Sequence, residues 1–131
     1  MPRPATAAIE RLVRQDLGCT CPPQVFERIE AGRIQLPGLS IASRRLAIGG
    51  RLLVYVLEPD DVGQALAQLP LWVAAGRADR DAAGMNRFRL VTITPDPASM
   101  DAAIRPRFDA LPDRDERTHL HVLSKAAVAG I

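Results

Sequence analysis

The sequence predicts a single α/β domain over residues 1–131, built on a mixed sheet of about four to five strands. Strand-like and helix-like segments alternate between residues 52 and 123, an order that joins parallel strands by right-handed crossovers. Gly49 and Gly50 separate two strand-like arms, which predicts an antiparallel hairpin. Two helix-like segments precede the hairpin and are expected to pack on the sheet. An α+β arrangement is the alternative.

The first 36 residues predict two helices and a short strand. Apolar residues at helical spacing predict a helix over residues 5–17, and Gly18 suits the left-handed position that follows a helix end. A proline pair that begins at Pro22 predicts the start of a short second helix, which ends at Gly32. Residues 33–36 then predict a short strand before the hairpin.

The apolar run over residues 52–57 predicts a central strand that is covered on both faces. A helix capped by Asp60 or Asp61 follows, and Pro70 predicts a kink or a restart within it. The other predicted elements are hairpin arms over 41–48 and 51–58, a loop over 77–84, a strand over 88–94, a helix that begins at Ser99, and a last strand over 118–123.

Composition and charge favour a globular protein and argue against a nucleic-acid binder. Apolar residues make up 47% of the chain and charged residues 24%, with a net charge of +2. Acidic residues alternate with arginines over 77–81 and 113–117, instead of leaving a one-signed patch interleaved with aromatic residues. Lys125 is the only lysine, and the preference for arginine and alanine is typical of a GC-rich bacterial coding sequence.

The predicted location is the cytoplasm. Residues 1–14 lack the apolar segment of a secretory signal, and no apolar run is long enough to span a bilayer. Two cysteines in a chain without an export signal fit a reducing compartment, where a structural disulfide is not expected.

The most distinctive local pattern is the pair Cys19 and Cys21, followed by Pro22. Two thiols separated by one residue would bind a soft metal jointly or form a small-ring disulfide. Cys21 is the predicted N-cap of the second helix, a position that lowers a thiol pKa, but the prolines that follow remove two backbone N–H donors and weaken the effect. The alternative is structural: both cysteines are small buried residues in a tight corner between helices.

His119 and His121 form the other compact pair of metal-ligating residues. Their spacing of two on a predicted strand places both rings on one face. Together with Cys19 and Cys21 they supply two thiols and two imidazoles, a tetrahedral set that suits zinc, although the pairs lie far apart in the sequence. The alternative places the neighbouring apolar residues in the core and leaves the histidines on a half-exposed face.

Polar residues at the carboxyl ends of the predicted parallel strands form a third group. Ligands of open α/β sheets settle at this edge, where paired carboxylates would hold a metal or act as acid and base. Aspartates that precede helices are mostly N-caps, however, and capping is the favoured role for these aspartates. The residues are Glu58, Asp60, Asp61, Thr94 and Asp96.

These patterns predict a small accessory or binding protein in which Cys19 and Cys21 bind a soft metal, such as zinc, or take part in thiol redox chemistry. The alternative is a non-catalytic oligomerising domain with structural cysteines, and an enzyme that uses strand-end carboxylates is a third hypothesis. Leu71 and Trp72 place apolar residues on a second side of their helix, which predicts a homodimer or another protein partner. The sequence contains no glycine-rich phosphate loop, GxSxG or HExxH motif.

Overall fold

The structure is a computed structural model, and it describes residues 4–18, 23–36, 43–112 and 115–131. The predicted helix start at Pro22 and the first two residues of the hairpin arm, 41 and 42, lie outside the described residues. The elements are α1 (Pro4–Arg11) with a π-helical turn (Leu12–Asp16), a 3₁₀ turn (Pro23–Glu27), β1 (Ile29–Ile34), β2 (Ser43–Ile48), β3 (Leu52–Leu57), α2 (Val62–Ala82), β4 (Arg87–Ile93), α3 (Pro97–Asp109), β5 (Thr118–Leu123) and a second 3₁₀ turn (Lys125–Val128).

The strands form one mixed sheet in the order β1-β2-β3-β4-β5, which confirms the predicted fold class. The pairs β1–β2 and β2–β3 are antiparallel, whereas β3–β4 and β4–β5 are parallel. Gly49 and Gly50 make the turn between β2 and β3 with φ values of 63° and 66°, as a hairpin turn with two left-handed residues requires. Gly18, at φ 71°, follows the N-terminal helix as predicted.

Helices cover both faces of the sheet. On the first face, α2 and α3 bury residues such as Leu69, Trp72 and Ile104 against β3, β4 and β5. On the second face, α1 and its π-helical turn pack Ile9 and Leu12 onto β2, β3 and β4. Every residue of β3 is buried, so the prediction of a central strand covered on both faces is confirmed.

The predicted restart of α2 at Pro70 is wrong, and the predicted loop over 77–84 begins only after Ala82. The helix is continuous through Pro70, so the contacts of its second half outweigh the lost backbone donor and the steric clash of a proline inside a helix. Those contacts join Asp79 and Arg80 to the sheet and to the segment before β5. Trp72 is fully buried, so Leu71, with 52% of its surface exposed, is the one large apolar residue that the described part of the chain exposes.

The second N-terminal helix is also shorter than predicted. The 3₁₀ turn ends at Glu27 and the chain enters β1 at Ile29, so Gly32 lies inside a strand opposite Arg45 and does not end a helix. Pairing with β2 overrides the helical spacing there. At the start of α3 the cap is Asp96, with Pro97 in the first turn, instead of Ser99.

No helix in the described ranges is both long enough and apolar enough to cross a bilayer.

Candidate functional site

His119 and His121 lie on β5 with their rings on the second face of the sheet. The residues between and beside them, Leu120 and Val122, are buried among α2, α3 and the first face. Both histidines are partly exposed. The alternation along β5 is therefore the one expected of a strand with one covered face, and the two rings share a face as predicted.

The parallel register of β4 and β5 brings two arginines onto the same face as the histidines. Arg89 lies opposite His119, and Arg87 precedes it by two residues. Nη1 of Arg87 lies 3.2 Å from Nε2 of His119, and Nη1 of Arg89 lies 2.8 Å from Nε2 of His121. Each arginine thus reaches diagonally to a histidine of the neighbouring strand. We call these four residues the basic strip.

The hydrogen bonds of the basic strip define the protonation of its histidines. A guanidinium group only donates, so Nε2 of each histidine must accept and the ring proton resides on Nδ1. In this arrangement the Nε2 lone pair of each histidine, through which it would bind a metal, is already used. A positive guanidinium beside each ring also disfavours a second cation there.

The predicted zinc site cannot be assembled from the histidines alone. In the described ranges no group of three or more His, Cys, Asp or Glu residues lies close enough together to hold a metal ion. Cys19 and Cys21 lie outside the described residues. Binding of a soft metal or thiol redox chemistry by the cysteines, with or without His119 and His121, therefore stays a prediction.

Burial and like charge shape the electrostatics of the strip. Burial, followed by the charge of Arg89 and then of His119 and Arg105, lowers the pKa of His121 to about 4. Burial and the charge of Arg87 lower the pKa of Arg89 as well. Among the described residues, no acidic side chain contributes to either shift, and Nε of Arg89 is buried without a hydrogen-bond partner there.

Two other arginines show how this fold treats a buried guanidinium. Arg45 donates from Nε and Nη2 to both oxygens of Asp79, at 2.7 and 2.8 Å. Arg80, which is 1% exposed, donates to both oxygens of Asp115, at 3.1 and 2.7 Å. These carboxylates have lowered pKa values because of their arginine partners. Arg89 is partly buried but forms no ion pair with any described carboxylate.

Sequence reasoning found the histidines of this site but missed the arginines. Arg87 and Arg89 have the same spacing of two on a strand as His119 and His121, and that shared pattern was the available signal. It becomes informative only when β4 and β5 are taken as parallel neighbours, since 32 residues separate each arginine from its histidine.

Two of the strand-end carboxylates, Asp61 and Asp96, have the capping role that the sequence favoured. Oδ1 of Asp61 accepts a hydrogen bond from the backbone N–H of Gln64 at 2.7 Å. Oδ1 of Asp96 accepts one from the backbone N–H of Ser99 at 3.2 Å. Both aspartates are thereby the N-caps of α2 and α3, as the sequence allowed.

Comparison of the chain with protein-family models, curated proteins and solved structures found no match. The functional argument therefore depends on the geometry and electrostatics of the basic strip.

Proposed function

We propose that the protein is a small binding protein whose ligand is a small, multiply charged anion, such as a phosphate ester, held by the basic strip. The observation that carries this proposal is the pair Arg87 and Arg89. They lie side by side on one strand and, among the described residues, neither forms an ion pair with a carboxylate. Elsewhere the same fold neutralises its buried arginines with aspartates.

The energetics favour an anionic ligand over a neutral one. A guanidinium group is built to hold a phosphate or carboxylate through two parallel hydrogen bonds. Burial of a donor without a partner costs about 1–3 kcal/mol, and Nε of Arg89 has no partner in the part of the chain that the structure describes. An anion beside Arg87 and Arg89 would offset their mutual repulsion and the lost hydration of Arg89.

A nucleic acid fits the strip less well than a small anion. Single strands are held by aromatic side chains on which the bases stack. In the described part of the chain, Tyr55, Trp72, Phe88 and Phe108 all lie in the core of the opposite face. Phe26, on the second face, is buried beneath the guanidinium of Arg14, 4.9 Å from its ring centre. No stacking surface therefore accompanies the charges.

Self-association and protein partners remain separate proposals. The observation that supports a homodimer is the exposed side chain of Leu71 on α2. Sedimentation of the wild-type chain against a Leu71→Glu variant tests it: a dimer that the variant abolishes supports the proposal, and a wild-type monomer at about tens of micromolar contradicts it.

Calorimetric titration of the full chain with pyrophosphate at low ionic strength tests the anion-binding function. We expect saturable binding that Arg89→Gln weakens about tenfold or more, because a charge-assisted hydrogen bond contributes about 1.5–3 kcal/mol. Arg33→Gln is the matched control, since Arg33 is an exposed arginine on the opposite edge strand. Its affinity should stay within about twofold of the wild type, as expected for a distant, screened charge.

Two outcomes would contradict the proposal. Equal loss of affinity in Arg89→Gln and Arg33→Gln would show that net charge alone attracts the anion. Absence of saturable binding of pyrophosphate and of inorganic phosphate would exclude the strip as a phosphate site. Thermal unfolding of each variant shows whether it is folded under the conditions of the titration.

A further inference from the structure

Two adjoining cavities lie at the carboxyl ends of β3 and β4, at the other end of β4 from the start of the basic strip. One has a volume of about 470 Å³ and the other of about 460 Å³. Glu58, Ile93 and Lys125 line both of them, so the two form one continuous strand-end groove. Ligand sites of α/β sheets concentrate at this edge, and both volumes fall in the range of small-molecule pockets.

Charged residues of both signs line the strand-end groove. Register places Arg44 of β2 opposite Val56 of β3, two residues before Glu58. Arg44 borders the first cavity and Asp60 the second, and Glu58 and Lys125 border both. The ion pairs among the described residues include none of Arg44, Glu58 and Lys125. These charges are therefore available to a ligand.

Apolar residues lie between the charges. Val56 and Ile93 are almost fully buried and face the first cavity. Its far wall is the C-terminal segment, which Arg11 holds through a hydrogen bond of 3.3 Å from Nη2 to the carbonyl oxygen of Ala129. The groove thus offers positive and negative side chains beside one apolar surface.

We propose that the strand-end groove binds a small zwitterion, an α-amino acid with an apolar side chain. The carboxylate of the ligand lies toward Arg44 and Lys125, and its ammonium group lies toward Glu58. Its side chain packs on Val56 and Ile93. A ligand with one charge would leave the groove residues of the same sign without a partner, whereas a zwitterion pairs with residues of both signs.

Titration of the full chain with L-leucine, followed by the backbone amide shifts of residues that line the groove, tests the proposal. Two analogues remove one charge each: 4-methylpentanoate lacks the ammonium group and 3-methylbutylamine lacks the carboxylate. We expect saturable binding of L-leucine and about tenfold or greater loss of affinity for either analogue. Glu58→Gln and Arg44→Gln should weaken L-leucine binding by a similar factor, because each removes one charged partner.

Glu27→Gln and Arg107→Gln are the matched controls, since both residues are exposed and lie outside the groove. They should leave L-leucine binding unchanged, and so should Arg89→Gln, which separates this site from the basic strip. Equal binding of L-leucine and 4-methylpentanoate would overturn the zwitterion, and so would unchanged affinity in Glu58→Gln. Absence of saturable binding for L-leucine and the other apolar amino acids would overturn the site.

Discussion

Replacement of Gly76 by alanine tests the packing of α2 on the sheet. A Cβ atom at this position would lie 2.0 Å from Cζ and 2.2 Å from Cε2 of Phe88. Carbon atoms in contact lie about 3.5–4.0 Å apart, so the ring would have to retreat by about 1.5 Å. Phe88 is fully buried and its ring meets the edge of Tyr55 at 5.0 Å between centres, which leaves it no free space.

The expected magnitude is the difference between two effects. Alanine in a helix interior is favoured over glycine by about 1 kcal/mol, whereas overpacking of a core costs about 1–3 kcal/mol or more. Because the approach at Gly76 is so close, we expect a net loss of about 2 kcal/mol and a Tm lower by about 6–10 °C. The fluorescence of Trp72, the only tryptophan and fully buried, reports the unfolding.

Two further variants make the Gly76→Ala result interpretable. Ala78→Gly, at an exposed position of the same helix, measures the helix propensity alone and should cost about 1 kcal/mol. Phe88→Leu combined with Gly76→Ala should be less destabilised than the sum of the single variants, because the smaller side chain relieves the overlap. A Gly76→Ala variant as stable as the wild type, or more stable, would refute the described contact between α2 and β4.

Three other predictions concern groups that titrate. His121 has a pKa of about 4 in the folded state and takes up a proton more readily in the unfolded state. The free energy of unfolding should therefore fall by up to about 3 kcal/mol as the pH falls from about 6.5 to 4. Unfolding curves of His121→Gln, measured over the same pH range, should lack this loss. Asp115→Asn should lower the free energy of unfolding by about 3 kcal/mol at neutral pH, because it leaves the buried Arg80 with a single exposed carboxylate partner. The pKa of Asp115 is lowered in the folded state, so its contribution to stability is present above the ordinary pKa of 3.8 and is lost as the pH falls below that value. Tyr55, the only tyrosine, should ionise well above its ordinary pKa of 10.0, because burial and its 2.6 Å hydrogen bond to Asp79 favour the protonated form. Asp79→Asn should lower the pH midpoint at which tyrosinate absorbance appears. An unchanged midpoint would contradict the hydrogen bond.

Local sequence patterns were sufficient for most of the fold. The apolar run over 52–57, the glycine pair after β2 and the capping aspartates each depend on neighbours within a few residues, and each prediction is confirmed. The parallel pairing of β3, β4 and β5 was predicted from the alternation of strands and helices along the chain, and it is confirmed.

Elements stabilised by distant residues could not be predicted in the same way. The last part of α2, residues 77–82, was predicted as a loop. It is helical because Asp79 is bound by Arg45 and Tyr55, which lie 34 and 24 residues away. Contacts at such separation leave no periodic pattern in the sequence.

The same limit applied to the candidate site. The spacing of His119 and His121 identified a shared face, but the choice between a metal and an anion depends on what lies beside the rings. That neighbour is a pair of arginines on another strand, and only the register of β4 against β5 reveals it. The cysteine pattern remains a prediction on the residues themselves.

The ionisation of His121 in the presence of pyrophosphate is the most direct test of anion binding at the basic strip. The chain has two histidines, so each ring resonance can be assigned from a single substitution. An anion beside Arg89 favours the imidazolium form, so the pKa of His121 should rise from about 4 when pyrophosphate is added, and the rise should disappear in Arg89→Gln. A pKa of His121 that stays the same at saturating pyrophosphate would contradict the account.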